Sequence, residues 1–184
     1  MGSVSLAAPP VPTICIKVSP HGQVRWVAVP TVGRMKVFAQ LSDLAACVGQ
    51  HVATTDWTTV TQEQVNQFAD ATHDHQWIHV DVERAQQGPF GAPIAHGFLT
   101  LSLLPKFFGE AVQVQEVRMG VNYGLNKVRF PAPVPVGSRL RAHLTLAEAT
   151  PIDGGLQIQW LVTVEREGSD KPVCVAESLA RLYA

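Results

Sequence analysis

A strongly apolar run at residues 98–108 precedes three long segments in which apolar and polar residues alternate. The run is apolar on nearly every helical face, which predicts a helix over residues 96–108 that is buried on most sides. The alternating segments cover residues 139–147, 157–165 and 173–182, and glycine-containing turns separate them. A period of two with such turns is typical of an antiparallel meander. Helices come first and strands later, so we expect an α+β fold in which one antiparallel sheet wraps a long central helix.

The part of the chain before this run contains helix signals. Thr61 and Gln64 form a capping box that predicts a helix ending near Thr72, so residues 74–79 are expected to be a loop. Asp81 is expected to cap a short helix over residues 82–87. The other predicted elements are a helix over 42–48 capped by Ser42, and strands over 13–18, 56–60, 112–117, 121–123 and 127–130.

Length and composition indicate one domain. The chain has 184 residues, of which 46% are hydrophobic, so it can bury a sizeable core. Prolines crowd its start, at positions 9, 10, 12, 20 and 30. We therefore predict a loosely ordered N-terminal extension over residues 1–34 and a single domain over residues 35–184.

Charge and cysteine usage exclude several classes of protein. The formal net charge is -1 and no basic stripe is visible, which argues against binding to nucleic acid. Cys15, Cys47 and Cys174 are scattered, odd in number and unlike a disulfide framework, as expected in a reducing compartment such as the cytoplasm. No apolar run approaches the roughly 20 residues of a membrane span.

Candidate chemistry lies just before the apolar run. Asp74 and His79 are acid/base groups in a polar segment that lacks helical periodicity. A Pro/Gly-rich stretch then delivers His96 and Gly97 at the start of the predicted helix. The N-terminus of a helix stabilises negative charge. The backbone N–H of Gly97 is our candidate oxyanion donor, since glycine allows close approach of a substrate.

A known family has these residues at this spacing. The segment His73-Asp-His-Gln-Trp-Ile-His-Val-Asp81, with Ala95-His-Gly97 downstream, resembles the signature of MaoC-like dehydratases, Gly-Asp-x-Asn-Pro-(Leu/Ile)-His-x-Asp. The family's Gly, Asn and Pro are here His73, Gln76 and Trp77. The chain is similar to the nodulation-protein-N-like branch, a placement that residues 122–131 and 135–137 support. The resemblance runs from about residue 35 to the C-terminus.

The resemblance implies a hot-dog fold, a homodimer and the activity of an (R)-specific enoyl-CoA hydratase. Such an enzyme adds water reversibly to a trans-2-enoyl-CoA and gives the (3R)-hydroxyacyl-CoA. Asp74 and His79 would hold and activate the water, and either one is a candidate for taking the proton. Gln76 would orient the pair. Candidates for contact with the substrate are Gln76, His96, Tyr123, Asn126 and Arg129.

Other readings of the same residues were weighed. His73, His75, His79 and Asp74 are metal-ligand types, but their spacing matches no recognised zinc site, so no metal is expected. No resident cofactor is expected either, because coenzyme A is part of the substrate. Two alternative functions remain on this scaffold: an acyl-CoA-binding protein without turnover, suggested by His73 in place of glycine, and an acyl-CoA thioesterase. We disfavour the thioesterase because the Asp/His pair and the His-Gly pattern match the hydratases.

Overall fold

The computed structural model describes the backbone of residues 14–18 and 24–28 and all of residues 33–184. The chain divides into two compact units, Met1–Thr31 and Val32–Ala184. The boundary that we predict after residue 34 stays a prediction.

The first unit contains one described hairpin. Strand β1 (Ile14–Val18) pairs antiparallel with β2 (Val24–Ala28). The strand predicted over residues 13–18 is therefore confirmed, whereas β2 was not predicted. The rest of the predicted extension lies outside the described residues.

The second unit is built on one antiparallel sheet. Its strands, in order across the sheet, are β4 (His51–Thr54), β8 (Arg139–Ile152), β9 (Gly155–Arg166), β10 (Cys174–Tyr183) and β7 (Met119–Arg129). A short strand β5 (Thr58–Thr59) also pairs with β8. Separately, β3 (Lys36–Phe38) pairs in parallel with β6 (Val112–Val114). The α+β class and the three-stranded meander of β8, β9 and β10 are confirmed.

Several strand boundaries differ from the prediction. The strand predicted over residues 56–60 shrinks to β5, because Ala142 N–H donates to the Thr55 side-chain oxygen (2.9 Å) and the ladder is interrupted there. The predicted strands 121–123 and 127–130 are one strand, β7, since bulges in its pairing with β10 let the ladder continue. The strand predicted over 112–117 ends at Val114, and β4 was missed.

The central helix is broken into two. Helix α5 (Gly97–Ser102) is followed by α6 (Leu104–Ala111), so the prediction of one helix over residues 96–108 is wrong. Pro105 has no N–H to donate to the preceding turn, and the break falls at Leu103. The second helix continues through Gly109, which we had expected to lie beyond its end.

The two helices supply one side of the core. Leu99, Leu104 and Phe107 are buried, and the Phe108 ring lies 5.6 Å from that of Trp160 on β9. Inward-facing sheet residues complete this core: Leu140, Leu144, Leu146, Val162 and Val164. The prediction that the helix is buried on most sides fails at Phe98, which is 68% exposed.

Four helices precede the central pair: α1 (Leu41–Ala45), α2 (Gln62–Thr72), α3 (Trp77–Val80) and α4 (Val82–Gln86). The capping box of α2 is present, with Gln64 N–H donating to Thr61 Oγ1 (3.2 Å), and Asp81 caps α4. Helix α1 begins one residue earlier than predicted, with Gln40 rather than Ser42 as N-cap. None of the helices in the described part of the chain is both long and apolar enough to cross a membrane.

Candidate functional site

Asp74 lies immediately after α2. That helix ends at His73, whose φ of 60° and ψ of 22° place it in the left-handed region. The Asp74 side chain is 55% exposed, and its backbone carbonyl accepts a hydrogen bond from His96 Nε2 (2.9 Å). The chain reversal at His73 therefore turns Asp74 away from the helix and towards the start of α5.

His73 occupies a conformation that glycine adopts with less strain, since a left-handed residue with a Cβ costs roughly 1–2 kcal/mol. We expect His73→Gly to raise the free energy of unfolding by about 0.5 kcal/mol, because the greater freedom of glycine in the unfolded chain offsets part of the relief. Urea unfolding monitored by tryptophan fluorescence measures the change. His75→Gly, two residues further on and without a positive φ, is the matched control and should lower stability. A loss of stability in both variants would contradict the strain at His73.

His79 lies in α3, so the loop predicted over residues 74–79 is wrong from Trp77 onwards. The helical turn forms because Gln76 C=O accepts from His79 N–H (2.9 Å) and Trp77 C=O accepts from Asp81 N–H (3.1 Å). In this way Gln76 contacts His79 through its backbone, while its own side chain is exposed. The segment still carries His79 to the position that faces the start of α5.

The protonation state of His79 follows from its surroundings. The ring is buried, and Nδ1 lies 2.6 Å from the carbonyl oxygen of Ile94. A carbonyl only accepts, so Nδ1 carries the hydrogen and Nε2 keeps its lone pair. Burial lowers the pKa of the His79 imidazole below its usual 6.5, and the nearby His96 ring lowers it further, while the Ile94 bond and Asp74 act in the opposite direction. At neutral pH His79 therefore presents Nε2 as an acceptor.

His96 lies behind this pair. Its side chain is 3% exposed, and its ring stacks on that of His79 with centroids 3.8 Å apart. Phe68 of α2 contacts the His96 ring at 5.0 Å. The structure thus brings Asp74, His79 and His96 together, with His96 too deeply buried to face a ligand directly.

The three residues also form a set of metal-ligand types. One donor atom from each of Asp74, His79 and His96 lies within 4.8 Å of the others. Two of the histidine nitrogens already donate to backbone carbonyls, His79 Nδ1 to Ile94 and His96 Nε2 to Asp74. His79 Nε2, His96 Nδ1 and the Asp74 carboxylate remain, of which His96 Nδ1 is buried without a hydrogen-bond partner among the described residues. The absence of a metal stays a prediction.

A cavity of about 350 Å³ opens beside His79 and the start of α5. Its walls are mostly apolar and come from the loop before α5 and the segment after β7; they include Phe90, Ile94, Gly97, Phe130, Pro131 and Val134. Gly97 is the first residue of α5, and a Cβ there would lie 2.9 Å from the Phe130 ring. A Cβ at this position would therefore force the Phe130 ring or the start of α5 to shift, and the close approach of substrate that we expect at Gly97 stays a prediction.

Three of the predicted substrate contacts lie elsewhere in the chain. Tyr123, Asn126 and Arg129 are on β7, outside the residues that line this cavity. Arg181 stacks on Tyr123 at 3.6 Å, and Asn126 Nδ2 donates to Gln159 Oε1 (3.2 Å). Their proposed contact with substrate stays a prediction.

Some residues at the site were not anticipated. Gln62 Nε2 donates to the carbonyl of His79 (2.8 Å) and so joins α2 to α3. The Ile94 carbonyl fixes the His79 tautomer, and Phe130 covers Gly97. The sequence cannot indicate which backbone carbonyl will contact a side chain, because every residue has one. Gln62 and Phe130, in contrast, lie next to segments that the sequence analysis identifies.

Comparison with known proteins gives matches over most of the chain. The family profile described as "MaoC like domain" matches residues 43–166. The chain is 57% identical over 151 residues to 3-hydroxyacyl-thioester dehydratase Z of Mycobacterium tuberculosis, covering 82% of this chain and 100% of that protein. It is 46% identical over 143 residues to nodulation protein N of Rhizobium meliloti, covering 76% of this chain and 89% of the relative. The structure of R-hydratase PhaJ1 from Pseudomonas aeruginosa superposes with a TM-score of 0.62 at 23% identity, over 74% of this chain and 81% of the other.

Proposed function

The chain belongs to the family of MaoC-like dehydratases with a hot-dog fold, and from this premise we propose that it hydrates trans-2-enoyl-CoA reversibly. The product is the (3R)-hydroxyacyl-CoA, and the reaction as proposed needs no resident cofactor. The observation that carries the proposal is that His79 lines a mostly apolar cavity at the start of α5 and that a ligand atom of Asp74 lies within 4.8 Å of one of His79.

The pair is suited to holding one water molecule. One nitrogen or oxygen ligand atom of each residue lies within 4.8 Å of that of the other, a separation that one water molecule bridges with two hydrogen bonds of about 2.8 Å. Both groups accept, so the water gives each of them one hydrogen and keeps its lone pairs for attack. Because burial lowers the pKa of His79, its imidazole is neutral at neutral pH and has no proton to lose before the water is bound.

The reaction transfers the parts of this water to the double bond. The water oxygen bonds to the β-carbon as one of the pair takes its proton, and the electrons of the double bond move towards the thioester oxygen. As the electrons return, the α-carbon receives a proton from the group that took it from the water, which restores that group to its starting state. His79 is the stronger candidate for base, since its lone pair is fixed by the Ile94 hydrogen bond and proton transfer by a positioned group is worth about 10²–10⁴ in rate.

The developing negative charge needs a donor. Gly97 N–H is the first amide of α5 and has no carbonyl of its own helix to bond, so it is free to donate to a thioester oxygen in the cavity. One such donor is typically worth about 10²–10³ in rate.

His73, which replaces the glycine of the family signature, is the feature that suggests the alternative of acyl binding without turnover. The residue adopts the left-handed conformation available to glycine, so His73 gives the loop after α2 a backbone conformation in which glycine also fits. This observation favours catalysis over simple binding. Thioester hydrolysis lacks a comparable observation in its favour.

The direct test follows loss of enoyl-thioester absorbance with trans-2-butenoyl-CoA and trans-2-octenoyl-CoA. Coupling to R- and S-specific hydroxyacyl dehydrogenases assigns the configuration of the product. Formation of R product is the expected result. Binding of both thioesters without loss of absorbance would reject the hydratase in favour of the acyl-binding alternative, and release of free coenzyme A would favour the thioesterase.

The proposal includes a homodimer in the cytoplasm. Strand β7 lies at one end of the sheet, and nearly all of its residues are exposed although many are apolar. Met119, Val121, Tyr123 and Leu125 on this strand are each at least 40% exposed. A long apolar edge strand is an aggregation hazard unless it is covered, and a second copy of the same strand is a self-complementary cover.

A charge on this edge should separate the subunits. We expect Leu125→Lys to convert the dimer to a monomer, because two lysines would then be buried near each other across the symmetric interface. Sedimentation velocity over a range of concentrations measures the mass. Leu161→Lys is the matched control: Leu161 is 43% exposed and Leu125 is 45% exposed, but Leu161 lies on the central strand β9. A monomeric wild-type protein, or dissociation in both variants, would contradict an interface at β7.

A further inference from the structure

We propose that His96 is a positioning residue: its Nε2–H holds the Asp74 peptide while its ring supports His79, so that the two acid/base groups keep their spacing. The inference rests on the proposed hydration reaction. It assigns His96 a role that differs from the contact with substrate predicted from sequence.

The first step is that His96 touches both members of the pair. Its Nε2 lies 2.9 Å from the Asp74 carbonyl oxygen and 4.0 Å from an Asp74 carboxylate oxygen. Its ring lies against that of His79 at 3.8 Å and is tilted by only 28°. Asp74 follows α2 and His79 belongs to α3, so the start of α5 is the common support of both.

The second step concerns what else holds Asp74. Its side chain is 55% exposed, and within residues 33–184 the one side chain that donates a hydrogen bond to this residue is His96, which bonds the Asp74 backbone carbonyl. His79 is held independently by Ile94 and Gln62. Loss of the His96 hydrogen bond would therefore free Asp74 while leaving His79 close to its place.

The third step excludes His96 itself as an acid or base. The carbonyl of Asp74 only accepts, so Nε2 carries the hydrogen. Nδ1 is buried and has no hydrogen-bond partner among the described residues. Both ring nitrogens are therefore out of reach of a ligand in the cavity, whose wall His96 does not line, so His96 acts through Asp74 and His79.

The packing around His96 makes its two contacts separable by mutation. Phe68 contacts the His96 ring at 5.0 Å and His79 stacks on it. His96→Phe keeps an aromatic ring in this stack and removes the donor to Asp74. His96→Gln places an N–H near the position of Nε2 and removes the ring. A positioning role predicts that the two variants differ in a defined way.

We expect His96→Phe to lower kcat by about 10²-fold, since misplacement of a reacting group by about 1 Å has this effect. KM should change by less than about threefold, because His96 does not contact the substrate. His96→Gln should recover kcat to within about tenfold of wild type. His75→Gln is the control for a histidine beside Asp74: its ring bonds Asp70 on the surface, and the rate should be that of wild type.

The pH dependence supplies a readout that a purely structural role would not move. His96 is one of the groups that lower the pKa of His79, and its removal in His96→Phe should raise that pKa. The acid limb of kcat, which reports protonation of the His79 base below pH 6.5 in the wild type, should shift to higher pH. NMR titration of the His79 ring, assigned with His79→Gln, should show the same direction of shift without any substrate.

The outcomes separate the two proposals. If the wild type does not hydrate enoyl-CoA, the proposed function fails, yet the NMR titration still tests the link between His96 and His79. Equal losses of kcat in the Phe and Gln variants with an unmoved acid limb would overturn the positioning role. So would a wild-type kcat in His96→Phe. If His96→Phe does not fold, His96→Gln decides alone: kcat within about tenfold of wild type supports the role, and loss beyond about 10²-fold overturns it.

Discussion

Asp74→Asn should leave the fold intact and lower kcat by about 10²–10⁴-fold, the usual contribution of a positioned acid/base group. The amide has the shape of the carboxylate but lacks its charge, so it holds the water more weakly and takes no proton. Since the side chain is 55% exposed, the cost to stability should be small. Loss of enoyl-thioester absorbance gives the rate, and thermal unfolding checks the fold.

Two further variants serve as controls for this experiment. Asp70→Asn makes the same change at a surface carboxylate that pairs with His75, and the rate should be that of wild type. In the double variant with His79→Gln, the loss should be no larger than that of the more damaging single change, because the two residues act on one water. A near wild-type rate for Asp74→Asn would remove Asp74 from the mechanism, and additive losses would mean that the two groups act in separate steps.

The parts of the fold that the sequence predicts well are those set by local physics. The capping box of Thr61 and Gln64 satisfies amides within four residues, and α2 forms as expected. The long strands β8, β9 and β10 follow from a period of two that buries one face. In both cases the signal and the structure it predicts lie in the same short segment.

Prediction fails where a distant partner decides. Strand β4 is short and lacks clear alternation, and its pairing with β8 depends on residues some ninety positions away. The break at Leu103 is a different case, because the sequence contains its cause, Pro105. The prediction of one continuous helix used the apolar pattern and did not take this proline into account. A helix that satisfies its hydrophobic pattern still has to satisfy its backbone hydrogen bonds.

The same distinction between local signals and distant contacts applies to the candidate site. The sequence predicts Asp74, His79 and Gly97 as site residues because the chemistry depends on residue types and spacing. The contacts that set their geometry, such as the Ile94 carbonyl on His79 Nδ1, involve backbone atoms that every residue carries. The residue types at a site are readable from a sequence of this kind, whereas the tautomer and the support of each group require the fold.

Gly97→Ala should lower kcat by about 10²-fold. The structure allows a clash with Phe130 to be distinguished from a clash with the substrate as the cause. The new Cβ would lie 2.9 Å from the Phe130 ring, closer than carbon atoms pack, so the ring or the first turn of α5 must move. A move of the helix start would carry the Gly97 N–H away from the thioester oxygen and would disturb the neighbouring His96.

The double variant Gly97→Ala/Phe130→Ala distinguishes the two reasons for glycine at this position. If the clash with Phe130 is the cause, removing the ring should restore kcat to within about tenfold of Phe130→Ala alone, as expected for coupled neighbours. If the substrate itself needs the space above Gly97, the double variant should stay as slow as Gly97→Ala. Because the wall is Phe130 in this structure, we expect recovery, and a persistent loss with raised KM would show that the glycine serves the thioester directly.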